Sequence, residues 1–130
     1  MLAVMQESPL DDAAIYDAKC GVSAYGPLFH PMTFKPHKAY WSFVAFNELR
    51  KLGVSVKSSV SDAEVFATAA TDGRGHGAVL IANTSGRRIP LELKFSAWKS
   101  VRCRLIDGSR TYEEAAVPSG GCEGQARLID

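Results

Sequence analysis

The chain has 130 residues, fifteen Lys and Arg against fourteen Asp and Glu, and a formal net charge of +1. That balance gives no electrostatic reason to expect a nucleic acid or an anionic membrane as partner, and 46% apolar with 22% charged residues is the composition of a soluble globular protein. The length suits one core, or one core with an appendage, burying roughly two-thirds of the surface that the unfolded chain exposes.

No apolar run approaches the ~20 residues of a membrane-spanning helix, and the opening MLAVMQESPLDD has neither a basic n-region nor an adequate apolar h-region. The expectation is a chain without an export signal or a membrane span. Three cysteines, Cys20, Cys103 and Cys122, are odd in number and far apart, which fits neither a CxxC motif nor a complete disulfide framework. They read as ordinary thiols, with one disulfide, such as Cys103 to Cys122, left open.

In chain order, residues 1–7 are helix-like and stop at Ser8-Pro9, because proline disfavours a helical conformation in the residue before it. AAIYDA, residues 13–18, is a short apolar run ending in a carboxylate and reads as a buried strand. A loop with Gly21, Gly26, Pro27 and Pro31 follows. The next element is a helix over 36–52, opening with Pro36 in its first turn and closing at Leu52. Ala39, Phe43, Phe46, Leu49 and Leu52 recur at spacings of three and four, which predicts one apolar face. Arg50 and Lys51 complement the helix dipole in the last turn, and Gly53 is the expected terminator. This stretch and its lead-in carry six of the twelve aromatic residues: Phe29, Phe34, Tyr40, Trp41, Phe43 and Phe46.

From Val54 onward the period is two. IPLELKF alternates strictly, placing Ile89, Leu91, Leu93 and Phe95 on one face and Pro90, Glu92 and Lys94 on the other. VRCRL repeats the pattern, with Val101, Cys103 and Leu105 inward. VSVKSSV, AEVFATAAT, GAVLIANTS and QARLID complete about six strands, divided by turn signals at Asp72-Gly73, Ser85-Gly86 and Asp107-Gly108. The predicted class is α+β, mostly β: a helix-strand-helix segment over 1–53 and an antiparallel β-sandwich over 54–130.

The segments with chemical potential mostly have plain readings. GRGHG, residues 73–77, resembles a phosphate-cradling loop, but a strand follows it where such loops need a helix, so it reads as a hairpin turn. His30, His37 and His76 show no i,i+4 or HxH pairing, and no metal or other cofactor is called for. No Ser or Cys stands in a GxSxG elbow. Asp11-Asp12 and Glu113-Glu114 are adjacent, so in extended chain they point to opposite sides and cannot flank one glycosidic bond. Asn83-Thr84-Ser85 fits the glycosylation pattern yet reads as a turn, and Arg87-Arg88 reads as a solvated pair. Asp17, ending a buried strand, has the position of carboxylates that line ligand sites in barrel folds.

Taken together, YDA (Tyr16, Asp17, Ala18), YGPLF (residues 25–29), KPHKAYWSFVAFNELRKLG, AVLIANTSG and VRCRLIDGS occur in an order that resembles the carboxyl-terminal end of a retaining glycoside hydrolase. The likeness is to a (β/α)8 barrel trailed by a small β-sandwich, in the groups related to family 39, and it covers most of the chain. It implies that residues 1–7 end the seventh barrel helix, 13–17 form the eighth strand and 36–52 the eighth helix. The acid/base and nucleophile glutamates of such enzymes lie on earlier strands, so the resemblance assigns no catalytic residue here, and retention needs two carboxyl groups ~5 Å apart. It places Tyr16, Asp17 and Tyr25 at the rim of a sugar site in a completed barrel. The expected function is therefore a non-catalytic structural or accessory segment. One alternative is a carbohydrate-binding module that stacks sugars on Trp98 and Tyr112. Another is an assembly domain that docks the 36–52 helix on a second copy or on a separate barrel chain.

Overall fold

A computed structural model of the chain describes residues 2–6, 8–10, 26–94, 100–117 and 125–128. The fold is α+β and mostly strand, and every strand pairing in it is antiparallel. It comprises two compact units, Met1–Thr84 and Ser85–Asp130.

The first unit begins with helix α1, Leu2–Gln6. It stops where expected, and Ser8 donates both its amide and its hydroxyl to the Met5 carbonyl at 3.2 and 2.8 Å. Residues 28–37 then form a tight hairpin. His37 donates its amide to the Leu28 carbonyl and His30 donates to Lys35, each at 2.8 Å, with Phe29 and Pro36 bridged between them. This pairing corrects the predicted helix start: Pro36 is held in the extended arm of the hairpin instead of the first helical turn. Helix α2 runs Lys38–Leu52, with His37 as an extended N-cap that offers no side-chain bond. Its end is as predicted. Gly53 takes φ 89° and donates to the Arg50 carbonyl, a left-handed cap that glycine adopts without a Cβ penalty.

Helix α2 packs on the sheet formed by β1 (Val54–Val56), β2 (Val65–Thr71) and β3 (Gly77–Asn83), in the order β1-β2-β3. The buried side chains of the helix are Leu49, which was in the predicted set, and Ala45, which was not, while Ala39 is exposed. Small Ala45 permits close approach of helix and sheet, which leaves Trp41, Phe43, Phe46 and Leu52 only half-buried around it. The buried face thus keeps Leu49 from the predicted stripe and adds Ala45 beside it. Val65 and Ala70 of β2 complete the buried apolar set, with Thr68 as the buried polar residue. No large side chain among the described residues is fully enclosed.

The hairpin of β2 and β3 pairs Val65 with Asn83 through to Thr71 with Gly77, so residues 73–76 of GRGHG lie in its turn as expected and Gly77 opens β3. VSVKSSV is strand only over β1, which pairs Val54 with Thr71 and Val56 with Ala69. Beyond it Ser58 donates its hydroxyl to the Ala67 carbonyl at 2.9 Å, so a side chain occupies the edge where a backbone ladder would continue.

The second unit has strands β4 (Leu91–Lys94), β5 (Cys103–Ile106), β6 (Thr111–Ala115) and β7 (Gln125–Leu128). They pair as β4 with β7 and β5 with β6. The predicted alternation holds over 89–93, where Ile89, Leu91 and Leu93 are half-buried and Pro90 and Glu92 exposed, while Phe95 lies outside the described residues. Cys103 and Leu105 are half-buried as predicted. Val101 is not: it precedes β5 and is exposed. Strand β6, TYEEA, was not among the predicted strands, because consecutive glutamates break the apolar alternation on which the reading relied. Among the described residues no helix is long and apolar enough to cross a membrane.

Candidate functional site

Of the residues that the sequence singles out for sugar binding, Tyr16, Asp17, Tyr25 and Trp98 lie outside the described residues, as do Cys20 and Cys122. Tyr112 is described. In the β5–β6 pair, Leu105 stands opposite Glu113 and Ile106 opposite Thr111, so Tyr112 is the residue that the intervening bulge leaves over. It takes the left-handed φ of 62°, a conformation more usual for glycine at such a bulge. Its ring is half-buried, and the Arg104 guanidinium carbon stands 5.0 Å from the ring centroid, a cation–π contact that covers one face of the stacking platform. Cys103 is half-buried in β5.

The described carboxylates with the strongest environments are both committed to turns. In the β2–β3 turn, Asp72 accepts the amides of Arg74 at 2.7 Å and His76 at 3.0 Å, and its second oxygen lies 2.7 Å from His76 Nδ1. These contacts, the Arg74 amide foremost, lower its pKa from 3.8 to about 2. In the β5–β6 turn, Asp107 accepts from the Arg110 side chain and amide and from Ser109, and the Arg110 guanidinium closes an ion pair on it. Its carboxyl is held well below the usual carboxylate range, the Arg110 side-chain bond being the largest cause. Groups so strongly ionised are poor general acids near neutral pH. Glu113 and Glu114 pair opposite Leu105 and Arg104, are both exposed, and project to opposite faces of β6.

The Asp72 turn yields a measurable expectation. A carboxyl with a depressed folded pKa stabilises the turn fully above its unfolded value, and that contribution is lost as pH falls from 3.8 towards about 2. In a carboxyl-carbon NMR titration, His76→Ala should raise the Asp72 midpoint yet leave it below the ordinary value, because the Arg74 amide remains. A midpoint fully restored to the ordinary value would show that the imidazole, not the backbone, holds the charge.

The densest side-chain arrangement joins the 28–37 hairpin to the start of α2. Phe29 and Tyr40 rings lie 5.0 Å apart and tilted, Tyr40 meets Trp41 edge-on at 5.3 Å, and the His30 and His37 rings lie 6.1 Å apart. From this support the hairpin projects Met32, 81% exposed, and Phe34, 59% exposed and at φ 56°. His30 Nδ1 accepts the amides of Met32 and Thr33 at 3.3 and 3.2 Å. Sequence reasoning weighed His30 only as a metal ligand. The available signal was its place two and three residues before those amides, the spacing at which Asx side chains cap turns. Among the described residues no group of three or more His, Cys, Asp and Glu side chains could hold a metal ion. Comparison with family models, with curated proteins and with solved structures finds no match to the chain.

Proposed function

We propose that this chain is a non-catalytic carboxyl-terminal segment of a glycoside-hydrolase-like protein. In this reading the region through α2 is the last strand and helix of a (β/α)8 barrel, the strands that follow belong to a trailing β-sandwich, and the role is structural. The observation that supports it most is the incomplete cover on α2. Trp41, Phe43, Phe46 and Leu52 are only half-buried around Ala45 and Leu49, while Met32 and Phe34 stand out beside them. Surface of this kind marks a place where another body packs, and a barrel's last helix has two bodies to contact. Tyr16, Asp17 and Tyr25 would then contribute the rim of the sugar site, and the catalytic carboxylates would come from other strands.

The same surface suits an assembly domain that docks on a second copy or on a separate barrel chain. The carbohydrate-binding alternative is less favoured at Tyr112, whose ring already carries Arg104 on one face.

Turnover assays on aryl glycosides separate these readings. The chain alone should show none. A protein that includes the reading frame upstream should hydrolyse them, and should lose activity when the glutamates ending its predicted barrel strands are changed to glutamine. Turnover by this chain alone would sink the proposal, as would an in-frame stop immediately upstream. In that second case sedimentation equilibrium decides for or against self-assembly.

A further inference from the structure

We propose that the 28–37 hairpin is a pH-sensitive device in which neutral His30 holds the tip that presents Met32 and Phe34, and protonated His30 releases it. The inference stands on the hairpin's own geometry and does not depend on the glycoside hydrolase reading.

The arms of the hairpin are fixed by the bonds from His37 to Leu28 and from His30 to Lys35, and Phe34 closes the loop by donating its amide to the His30 carbonyl at 2.9 Å. Two further amides, of Met32 and Thr33, converge on one atom, His30 Nδ1. A backbone amide can only donate. Nδ1 must therefore be the bare nitrogen of a neutral ring whose proton sits on Nε2. Protonation turns that acceptor into a donor, so both tip amides lose their partner and face an N–H in its place.

The group facing the ring is His37 at the N-cap of α2, 6.1 Å away. The nearest charged residues in the chain, Lys35 on the returning arm and Lys38 at the start of α2, are both cationic. What the loop holds is apolar and outward: Met32 and Phe34 are among the most exposed large apolar side chains described. The left-handed φ of Phe34 makes the tip dependent on its bonds, since a bulky residue adopts that conformation only where its surroundings impose it.

The test is a nitrogen-15 NMR titration of the full chain from about pH 8 to about pH 5, across the ordinary imidazole range. At the alkaline end the His30 ring shifts should report a proton on Nε2 and a bare Nδ1. The Met32 and Thr33 amide shifts should then move with the His30 ring midpoint, while the Leu80 amide in β3 stays still. His30→Asn, whose side-chain oxygen accepts in either state, should keep the tip and abolish the titration of both amides. A proton on Nδ1 at pH 8 overturns the proposal, as does tip movement that follows His37, survives His30→Asn, or is shared by Leu80. The wild-type ring shifts decide the matter even if the variant fails to fold.

Discussion

Leu49→Ala is expected to destabilise the first unit by about 3 kcal/mol, the range for truncating a buried leucine. The residue is 5% exposed and is one of four buried apolar side chains among the described residues, two of them alanines already. With so small a core, the lost transfer energy and the residual cavity have few neighbours to share them. Urea unfolding followed by circular dichroism should show a lower midpoint with an unchanged slope, or a chain already unfolded in water. Met32→Ala, at a site 81% exposed, should stay within about 0.5 kcal/mol of wild type. A loss below about 1 kcal/mol at Leu49 would mean that something other than this contact holds α2 to its sheet.

Gly53→Val is expected to cost about 2 kcal/mol, combining the left-handed penalty with β-branching. Gly53 has φ 89°, and a Cβ built there meets no atom within 4 Å, so the penalty is torsional with no collision behind it. Gly53→Asn should accordingly recover most of the stability, since asparagine visits this region more readily. The position has a double duty. It ends α2 at Leu52 and turns the chain directly into β1 at Val54, so strain here loosens the helix terminus and the edge strand together. Equal losses for valine and asparagine would point to a steric origin instead.

The elements legible in the sequence are those whose residues obey a period and whose ends carry their own signal. The end of α2 was readable because Arg50, Lys51 and Gly53 are local features, and β4 because Ile89 to Leu93 alternate without interruption. The start of α2 was not. Pro36 satisfies the rule for a first helical turn, but the bonds from residues 28 and 30 to 37 and 35 claim that stretch first, and tertiary pairing overrides the propensity. On the buried face Leu49 was legible and Ala45 was not: hydrophobic size drew attention to Phe43 and Phe46, while closest approach to a sheet selects a small side chain such as Ala45. In β6 the glutamates hid a strand whose threonine and tyrosine, following the Asp107-Gly108 turn, were the usable indication. Of the candidate site, Tyr112 was legible as an aromatic but its bulge and its arginine were not, because both depend on the register with β5. The capping role of His30 was open to inspection in principle, since it needs only the next three residues.

The strand pairings also set an order of assembly. The β2–β3 ladder closes a turn of five residues, 72–76, and β5–β6 closes one of four, 107–110. The β4–β7 ladder joins residues 91–94 to 125–128, with thirty residues between them. By the logarithmic dependence of loop closure on length, that ladder pays about 1.6 kcal/mol more in chain entropy than the β2–β3 turn, from a four-residue pairing. Prior formation of the β5–β6 hairpin shortens the intervening chain and lowers this barrier. The two short hairpins are therefore the natural nuclei, and β7 is the last strand to find its partner. Until it does, the alternating apolar face of β4 stands open, and the interval before that closure is when the second unit is most exposed to mispairing with another chain.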